Sequence, residues 1–364
     1  MTDGPTPRVL VLWADGHSTN LGVQVLAEGT AELVRRVAPG AEIVHQNYGS
    51  RIPELPIGSV RSLMRERVTG KRGMQAWLGG FDLVIDTRAG DSFADIYGLR
   101  RLLVMSLVGE FAAQAGTAVV LGPQTIGPFR SSRAKVLARR SLRRAALTVA
   151  RDSASETYAV RLGVPATLRS SDVVFALPVP TVERRHDVLL NVSGLLWREN
   201  PHVDHRRYRR VLADLVRGLD DAGRRVSLLA HVIDSPDPDN DVPAVREFAS
   251  TTARDAEIVV PGDLAAARAA VASAAVVVAS RMHASLNALS VGTPAVSLAY
   301  SRKFRPLFAD LGWDATVDLR DETDPVPGVL RLLGDPGLAD RVPEVLDRAR
   351  ASLGPVEAAL GKLL

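Results

Sequence analysis

Short apolar, β-branched runs alternate along the whole chain with longer segments in which apolar residues recur every three or four positions. The first pattern is typical of buried strands and the second of amphipathic helices. Their alternation builds parallel sheets flanked by helices. In the first half of the chain, the predicted strands cover residues 9–13, 41–46, 83–87, 118–122 and 147–151, and the clearest helices cover 19–37, 97–115 and 131–144.

A polar stretch with two prolines, residues 177–187, interrupts this pattern and is interpreted as a linker. We therefore predict an α/β protein with two doubly wound Rossmann-like lobes facing a cleft, the first at 1–178 and the second at 187–336. The segment 337–364 has a helical pattern and could pack on either lobe. The strands predicted for the second lobe cover residues 187–193, 225–232, 257–260, 275–280 and 294–298.

Length and composition support this picture and exclude several kinds of site. A chain of 364 residues is long enough for two domains. It has no cysteine, which excludes disulfides, thiolate metal sites and cysteine nucleophiles. The start of the chain lacks the basic region of a signal peptide, and no apolar run reaches the roughly 20 residues of a membrane span. We expect a cytoplasmic protein, either free or peripherally bound at the inner face of the membrane.

The net charge of +4 and the isoelectric point near 9.7 change the picture only slightly. The basic residues are nearly all arginine, they are spread through amphipathic helices, and no nucleic-acid-binding motif accompanies them. We therefore expect no nucleic-acid partner. A modest positive charge also fits an anionic small substrate.

The segment SRMHASLNALSVGTPAVSL, residues 280–298, follows a strongly apolar strand and opens a helix. In parallel sheets, ligands bind beyond the carboxyl ends of the strands. A helix N-terminus favours an anion, a guanidinium binds phosphate or carboxylate, and histidine transfers protons near neutral pH. We predict catalytic roles for Arg281 and His283, with Ser280 and Met282 beside them in the binding site. The alternative is that Arg281 pairs with a neighbouring carboxylate and His283 caps the helix.

A second candidate loop, LGPQTIGPFRSS, spans residues 121–132 and also follows an apolar strand. Gly127 and two prolines give it an irregular backbone that a ligand can approach, and the Gln124 amide can donate hydrogen bonds. Arg151 ends the next predicted strand. It either binds the same anion or pairs with Asp152 or Asp172.

Two carboxylates, Asp91 and Asp95, stand four residues apart after the third predicted strand. They could orient a hydroxyl or act as a base. They could equally cap the following helix or pair with an arginine.

Four further residues are candidates for contacts with a second substrate. Asn20 and Gly22 lie between the first strand and the first helix, and Gly22 allows a ligand to approach closely. Asn191 lies in the strand 187–193. Trp197 could stack on a sugar ring or pack in the core.

The remaining histidines carry less weight. His202, Asp204 and His205 resemble a metal cluster, but they lie in a polar stretch without a further spaced ligand, so we expect them to be solvated and predict no metal site. His231 ends a predicted strand and could face the cleft. No Gly-x-Gly fingerprint or Walker loop indicates a nucleotide cofactor.

Taken in chain order, seven segments resemble the polysaccharide pyruvyl transferase family over residues 15–312. The GPQTIGPF and SRMHA elements are the specific ones. The resemblance implies a fold similar to GT-B glycosyltransferases and phosphoenolpyruvate as a donor bound between the lobes, with no separate cofactor. The segments are NLG, GDSFAD, GPQTIGPF, ARDSAS followed by RLGV, SDVVFAL, LLNVSGLL and SRMHASLNALSVGTPAVSLAYSRKF.

The resemblance also implies roles for individual residues. Arg151, Arg281 and His283 would hold or activate the donor, which Ser280, Met282, Gln124 and Gly127 would also contact. His283 would supply a proton and Asp91 or Asp95 would act as base while two hydroxyls of a saccharide or lipid-linked sugar form a ketal. Asn20, Gly22, Asn191 and Trp197 would contact this acceptor.

One departure concerns Val23, which follows Asn20-Leu21-Gly22 at a position where many relatives carry aspartate. Two other functions stay open on the same residues. The first is a nucleotide-sugar glycosyltransferase in glycan biosynthesis, in which Arg281 would grip a diphosphate. The second is a non-catalytic relative that binds a glycan or an anion.

Overall fold

The structure is a computed structural model that describes residues 6–48, 59–233 and 239–364. The chain divides into two compact units, each with a six-stranded sheet of parallel strands. The first unit comprises Met1–Gly16, Leu26–Ala176 and Ala349–Leu364, and the second comprises His17–Val25 and Leu177–Arg348.

The sheet of the first unit has the order β2-β1-β3-β4-β5-β6. Residues 9–12 of its first strand are completely buried, which explains why the sequence shows a continuous apolar run rather than an alternation. The strands are β1 (Arg8–Leu12), β2 (Glu42–Gln46), β3 (Leu83–Asp86), β4 (Ala118–Gln124), β5 (Leu147–Ala150) and β6 (Leu168–Arg169).

Helices cover this sheet, and one of them returns from the far end of the chain. The backbone N–H of Ser171 donates to Oγ of Ser352 over 2.9 Å, and Oγ of Ser171 donates to the carbonyl of Ala349 over 3.0 Å, so the C-terminal helix is tied to the first unit. The helices are α1 (Leu21–Val37), α2 (Val60–Thr69), α3 (Met74–Leu78), α4 (Leu99–Gln114), α5 (Ser132–Arg144), α6 (Ser153–Arg161) and, at the C-terminus, α14 (Val342–Leu360).

The sheet of the second unit has the order β12-β11-β10-β7-β8-β9. Its strands are β7 (His186–Asn191), β8 (Val226–Leu229), β9 (Glu257–Val259), β10 (Ala274–Ala279), β11 (Ala295–Ala299) and β12 (Thr316–Asp318). Its helices are α7 (Gly194–Trp197), α8 (His205–Asp221), α9 (Asp241–Thr251), α10 (Leu264–Ala272), α11 (Met282–Ser290), α12 (Phe304–Asp310) and α13 (Val326–Leu333).

The predicted α/β class with two parallel sheets is confirmed, and each of the ten predicted strands is present. The strands β6 and β12 were not predicted, because two or three residues are too few to form an apolar run. Helices α2 and α3 were not singled out either.

The second sheet has a topological switch point at β7. From β7 the chain continues to β8 and β9 on one side, and then crosses to β10 on the other. The carboxyl ends of β7 and β10 are therefore neighbours, with Asn191 opposite Ala279. Such a point is where open α/β sheets bind their ligands.

Candidate active site

Asn191 joins three strand ends at the switch point of the second unit. Its Oδ1 accepts a hydrogen bond from the backbone N–H of Arg281 over 2.9 Å, just beyond β10. Its Nδ2 donates to the carbonyl of Leu229, the last residue of β8, over 3.1 Å. The side chain is fully buried, and its hydrogen bonds fix the loops that follow these strands.

Asp241, the first residue of α9, is the anionic centre of this edge. One carboxylate oxygen accepts from Nη2 of Arg281 over 2.7 Å and from the backbone N–H of Gly194 over 2.7 Å. The other accepts from the backbone N–H groups of His231 and Val232 over 2.9 and 3.0 Å. A fully buried carboxylate is stable only with such complete pairing.

Arg281 is therefore committed to a partner, which was the alternative weighed for it. Its Nε donates to Asp241 over 3.1 Å, and its Nη2 also donates to the carbonyl of Asp239. Burial alone would lower the pKa of Arg281, but the charge of Asp241 outweighs it and raises that pKa. The arginine stays protonated and fixes the start of α11.

His283 lies in the first turn of α11 and is the only residue of this helix that is not buried. A Cβ atom added to Gly22 would lie 2.7 Å from Nδ1 of His283, so only glycine leaves room for the ring. Oδ1 of Asn20 accepts the backbone N–H of Gly22 over 3.0 Å. The structure thus brings Asn20 and Gly22, both predicted from sequence, to the side of His283.

A second histidine, His231, lies close to this group and is 1% exposed. Burial is the largest cause that lowers the pKa of His231 to about 3, and the neighbouring His283 and Arg281 lower it further. Its Nε2 accepts a hydrogen bond from Nδ2 of Asn287 over 3.2 Å. His231 is therefore neutral at physiological pH, with its proton on Nδ1.

Arg268 sets the orientation of the Asn287 amide. Its Nη1 donates to Oδ1 of Asn287 over 3.0 Å and to Oγ of Ser290 over 2.8 Å. Its Nη2 donates to the carbonyl of Pro178 over 3.0 Å. Among the described residues these partners are all neutral, and burial lowers the pKa of Arg268 to about 10. The guanidinium remains charged at neutral pH, and no carboxylate of the described residues pairs with it.

Sequence reasoning missed Asp241, Asn287 and Arg268, and named His231 only as a residue that could face the cleft. Asp241 lies in an aspartate-rich polar stretch whose pattern does not distinguish one carboxylate from another. Arg268 and Asn287 lie on helices in otherwise apolar surroundings, and that was the one available signal.

Ser280 and Met282 are buried on either side of Arg281. Oγ of Ser280 lies 2.8 Å from the hydroxyl of Tyr208, which in turn accepts the backbone N–H of Ser193 over 2.9 Å. These bonds connect the ends of β10 and β7 through α8. Both predicted residues therefore lie at the candidate site but support it from within the core.

Trp197 packs in the core of the second unit and is 4% exposed. Its Nε1 donates to Glu247 over 2.8 Å, its ring meets Phe248 edge to face, and the guanidinium of Arg209 lies 4.4 Å from the ring centroid. The structure shows the core contact, one of the two roles expected for Trp197, and leaves almost no ring surface on which a sugar could stack.

The first unit holds Arg151 and Gln124 at the carboxyl edge of its own sheet. Arg151 is 1% exposed, with Nη1 3.2 Å from Asp172 and Nε donating to Oγ1 of Thr125 over 2.9 Å. The pairing with Asp172 is again the alternative considered from sequence. The side-chain amide of Gln124 is buried, and neither of its polar atoms bonds to a described residue.

Asp91 and Asp95 differ in how far they are engaged. Oδ2 of Asp95 accepts the backbone N–H groups of Arg130 and Ser131 over 2.8 and 2.9 Å, immediately before α5. Asp95 thus holds a helix start. Asp91 accepts the hydroxyl of Tyr97 over 2.7 Å.

Gly127 has a φ of 77°, and a Cβ atom there would lie 2.7 Å from the ring of Tyr158. The glycine is required by the packing of Tyr158 against the loop as well as by the backbone conformation. Its conformation alone does not indicate a ligand.

The polar stretch with His202 and His205 has a structural role at its acidic residue. Asp204 accepts the backbone N–H groups of Arg206 and Arg207 over 2.7 and 3.0 Å and so caps α8. Within residues 6–48, 59–233 and 239–364, no three histidine, aspartate or glutamate side chains are placed to hold a metal ion. In the same ranges no helix is long and apolar enough to cross a membrane.

Comparison with protein-family models decides the assignment of the chain. The model of the polysaccharide pyruvyl transferases matches residues 20–302, which include the candidate site around His283. The chain belongs to the polysaccharide pyruvyl transferase family. A comparison with curated protein sequences finds no match.

Solved structures with a similar fold include UDP-GlcNAc 2-epimerases and a protein in complex with UDP-glucose. UDP-GlcNAc 2-epimerase from Neisseria meningitidis bound to UDP-GlcNAc has a TM-score of 0.56 at 10% identity, covering 96% of this chain and 99% of that one. The enzyme from Methanocaldococcus jannaschii has a TM-score of 0.52 at 13% identity, covering 93% and 99%. Anabaena HepE in complex with UDP-glucose has a TM-score of 0.55 at 11% identity, covering 98% of both. The predicted likeness to the GT-B fold is confirmed.

Proposed function

We propose that this pyruvyl transferase moves a pyruvyl group from phosphoenolpyruvate to two hydroxyls of a saccharide acceptor and forms a ketal on a cell-surface glycan. The observation that carries the proposal is the placement of His283. It is the one residue of α11 that is partly exposed, it lies where the ends of β7 and β10 meet, and it falls in the segment matched by the family. Such a side chain can give a proton to a bound substrate.

Electrostatics at this edge favour an anionic donor. Asp241 and Asp239 both pair with Arg281, whereas Arg268 keeps a buried positive charge without a carboxylate partner among the described residues. The N-terminus of the nine-residue helix α11 adds a positive partial charge. Phosphoenolpyruvate carries both a phosphate and a carboxylate, so this field suits it without a metal ion.

The reaction needs one proton on carbon and one on phosphate. His283 in its protonated form gives a proton to the methylene carbon of the donor while a first acceptor hydroxyl attacks the adjacent carbon. A second hydroxyl then displaces phosphate and closes the ketal. The two hydroxyl protons that are lost balance the new C–H bond and the O–H of the released phosphate.

His231 and Asn20 assist His283 in different ways. His231 stays neutral down to about pH 3, so it does not compete with His283 for the proton. Asn20 accepts the backbone N–H of Gly22, which lies against the imidazole ring of His283. We propose that Asn20 contacts an acceptor hydroxyl.

A thermal-shift experiment tests the donor. Phosphoenolpyruvate is expected to raise the Tm of the protein, and UDP-GlcNAc at the same concentration is not. Stabilisation by UDP-GlcNAc alone would replace the proposal with the nucleotide-sugar alternative.

A genetic experiment tests the product. Deletion of the gene in its own organism is expected to remove a pyruvate ketal from a surface glycan. The wild-type chain and His205→Ala are expected to restore it, and His283→Ala is not, because the half-buried His205 begins α8 and lies outside the candidate site. Restoration by His283→Ala would show that the proton comes from elsewhere.

A further inference from the structure

Helix α2 of the first unit exposes a face that combines cations with apolar side chains. Arg61, Met64, Arg65 and Val68 follow each other at steps of three, one and three residues, so they lie on one side of the helix. All four are exposed, Met64 by 50% and Val68 by 83%. Exposure of this degree is unusual for apolar side chains that occur side by side.

The opposite side of α2 is buried and holds the acidic residue of this region. Glu66 is the one carboxylate within residues 59–80, and it is 5% exposed. It accepts the backbone N–H groups of Arg72 and Met74 over 2.9 and 2.8 Å. The acid is thus turned inward, and it fixes the turn that presents Lys71 and Arg72 outward.

We call the six exposed side chains of Arg61, Met64, Arg65, Val68, Lys71 and Arg72 the α2 face. None of its four cations forms an ion pair with a carboxylate of the described residues. On α5, by contrast, Arg140 and Arg144 share Glu110.

We propose that the α2 face docks on an anionic lipid bilayer. Unpaired cations are drawn to lipid phosphates, and exposed apolar side chains between them enter the boundary between headgroups and acyl chains. A nucleic acid would satisfy the cations but would leave Met64 and Val68 in water. The proposal concerns a surface remote in sequence from His283, and it does not depend on the reaction proposed above.

Vesicle co-sedimentation of the full chain tests this surface. The protein is expected to bind vesicles of phosphatidylcholine mixed with phosphatidylglycerol, and not phosphatidylcholine alone, and high salt is expected to release it. Arg61→Gln/Arg65→Gln is expected to weaken the binding roughly tenfold or more. The matched control is Arg133→Gln/Arg143→Gln on α5, which removes two exposed arginines from the same unit and is expected to change binding much less.

A second pair of variants separates lipid from other polyanions. Met64→Ser/Val68→Ser is expected to weaken vesicle binding, while Val136→Ser/Val160→Ser, which alters two side chains exposed by 60% and 55%, is expected to leave it unchanged. Because all these positions are exposed, the Tm should stay constant. Equal losses in the α2 and α5 variants, no binding by the wild-type chain, or loss of duplex DNA binding instead of vesicle binding would each overturn the proposal.

Discussion

Asn287 donates a hydrogen bond from Nδ2 to Nε2 of His231 over 3.2 Å, and this bond joins two residues 56 positions apart. The amide cannot reverse its donor and acceptor, because Arg268 donates to its Oδ1. A histidine held in this way accepts at Nε2 only while it is neutral. The candidate active site therefore contains one histidine that is partly accessible and one that is locked in its uncharged form.

The buried, neutral state of His231 predicts how the stability of the protein depends on pH. The unfolded chain binds a proton at His231 with an ordinary pKa near 6.5, whereas the folded chain binds it only near pH 3. As the pH falls below 6.5, protonation therefore favours unfolding, and His231 contributes a loss of up to about 1.4 kcal/mol per pH unit. Urea unfolding between pH 7 and pH 4 gives the free energy of unfolding of the wild type and of His231→Gln, over roughly the interval between the two pKa values. The free energy should fall more steeply with decreasing pH in the wild type, and the same dependence on pH in both proteins would contradict the prediction.

Gly22→Ala is expected to disturb catalysis more than stability. The new Cβ would lie 2.7 Å from Nδ1 of His283, so the ring has to move. Displacement of a reacting group by about 1 Å can reduce a rate by roughly a hundredfold. Phosphate release from phosphoenolpyruvate and the Tm should be measured together. Gly40→Ala is the control, since a Cβ atom there meets nothing within 4 Å; unchanged activity in Gly22→Ala would refute the steric argument.

Asp241→Asn is expected to destabilise the second unit strongly. The substitution keeps the shape of the side chain but removes the charge opposite the buried Arg281, and breaking such a pair costs about 3–5 kcal/mol. Asp214→Asn provides the comparison. Asp214 pairs with Arg217 at the surface, where both side chains are at least half exposed, so a loss below about 1 kcal/mol is expected. Denaturant unfolding measures the free energy of unfolding of both variants, and similar decreases in the two would contradict the prediction.

Gly194→Ala is expected to be destabilising for a different reason. A Cβ at this position would lie 2.0 Å from the carbonyl oxygen of Asn240, which is backbone and cannot swing away. Its own N–H also donates to Asp241. We expect a loss of about 2 kcal/mol or more, as for other steric conflicts in a packed core. In Gly262→Ala, where the added atom meets nothing within 4 Å, the thermal transition should stay within the error of the wild type.

The strands and the position of His283 were predictable because the signals for both are local. A strand that is buried on both faces has a continuous apolar sequence, as in residues 274–279 of β10. The polar residues that follow such a run must lie at a sheet edge, which placed Arg281 and His283 correctly after β10.

The partners of these residues were not predictable, because they come from distant segments. Four aspartates occur between 234 and 241, and the sequence does not show that Asp239 and Asp241 meet Arg281, which requires β8 to lie beside β7. The contact of Asp95 was not predictable for the same reason. The sequence left open whether Asp95 acts as a base or holds the backbone, and it did not indicate the contact with the backbone before α5, which spans 35 residues.

The short segment His17–Val25 belongs to the second unit, although the chain on both sides of it belongs to the first. Thr19 accepts the backbone N–H of Ile233 over 2.8 Å, and Gln24 accepts that of Leu264 over 2.9 Å. A chimera of two family members joined once within the linker would therefore take His283 from one parent and Gly22 from the other. A recombinant that keeps Gly22 and His283 from the same parent has to carry residues 17–25 together with the second half of the gene.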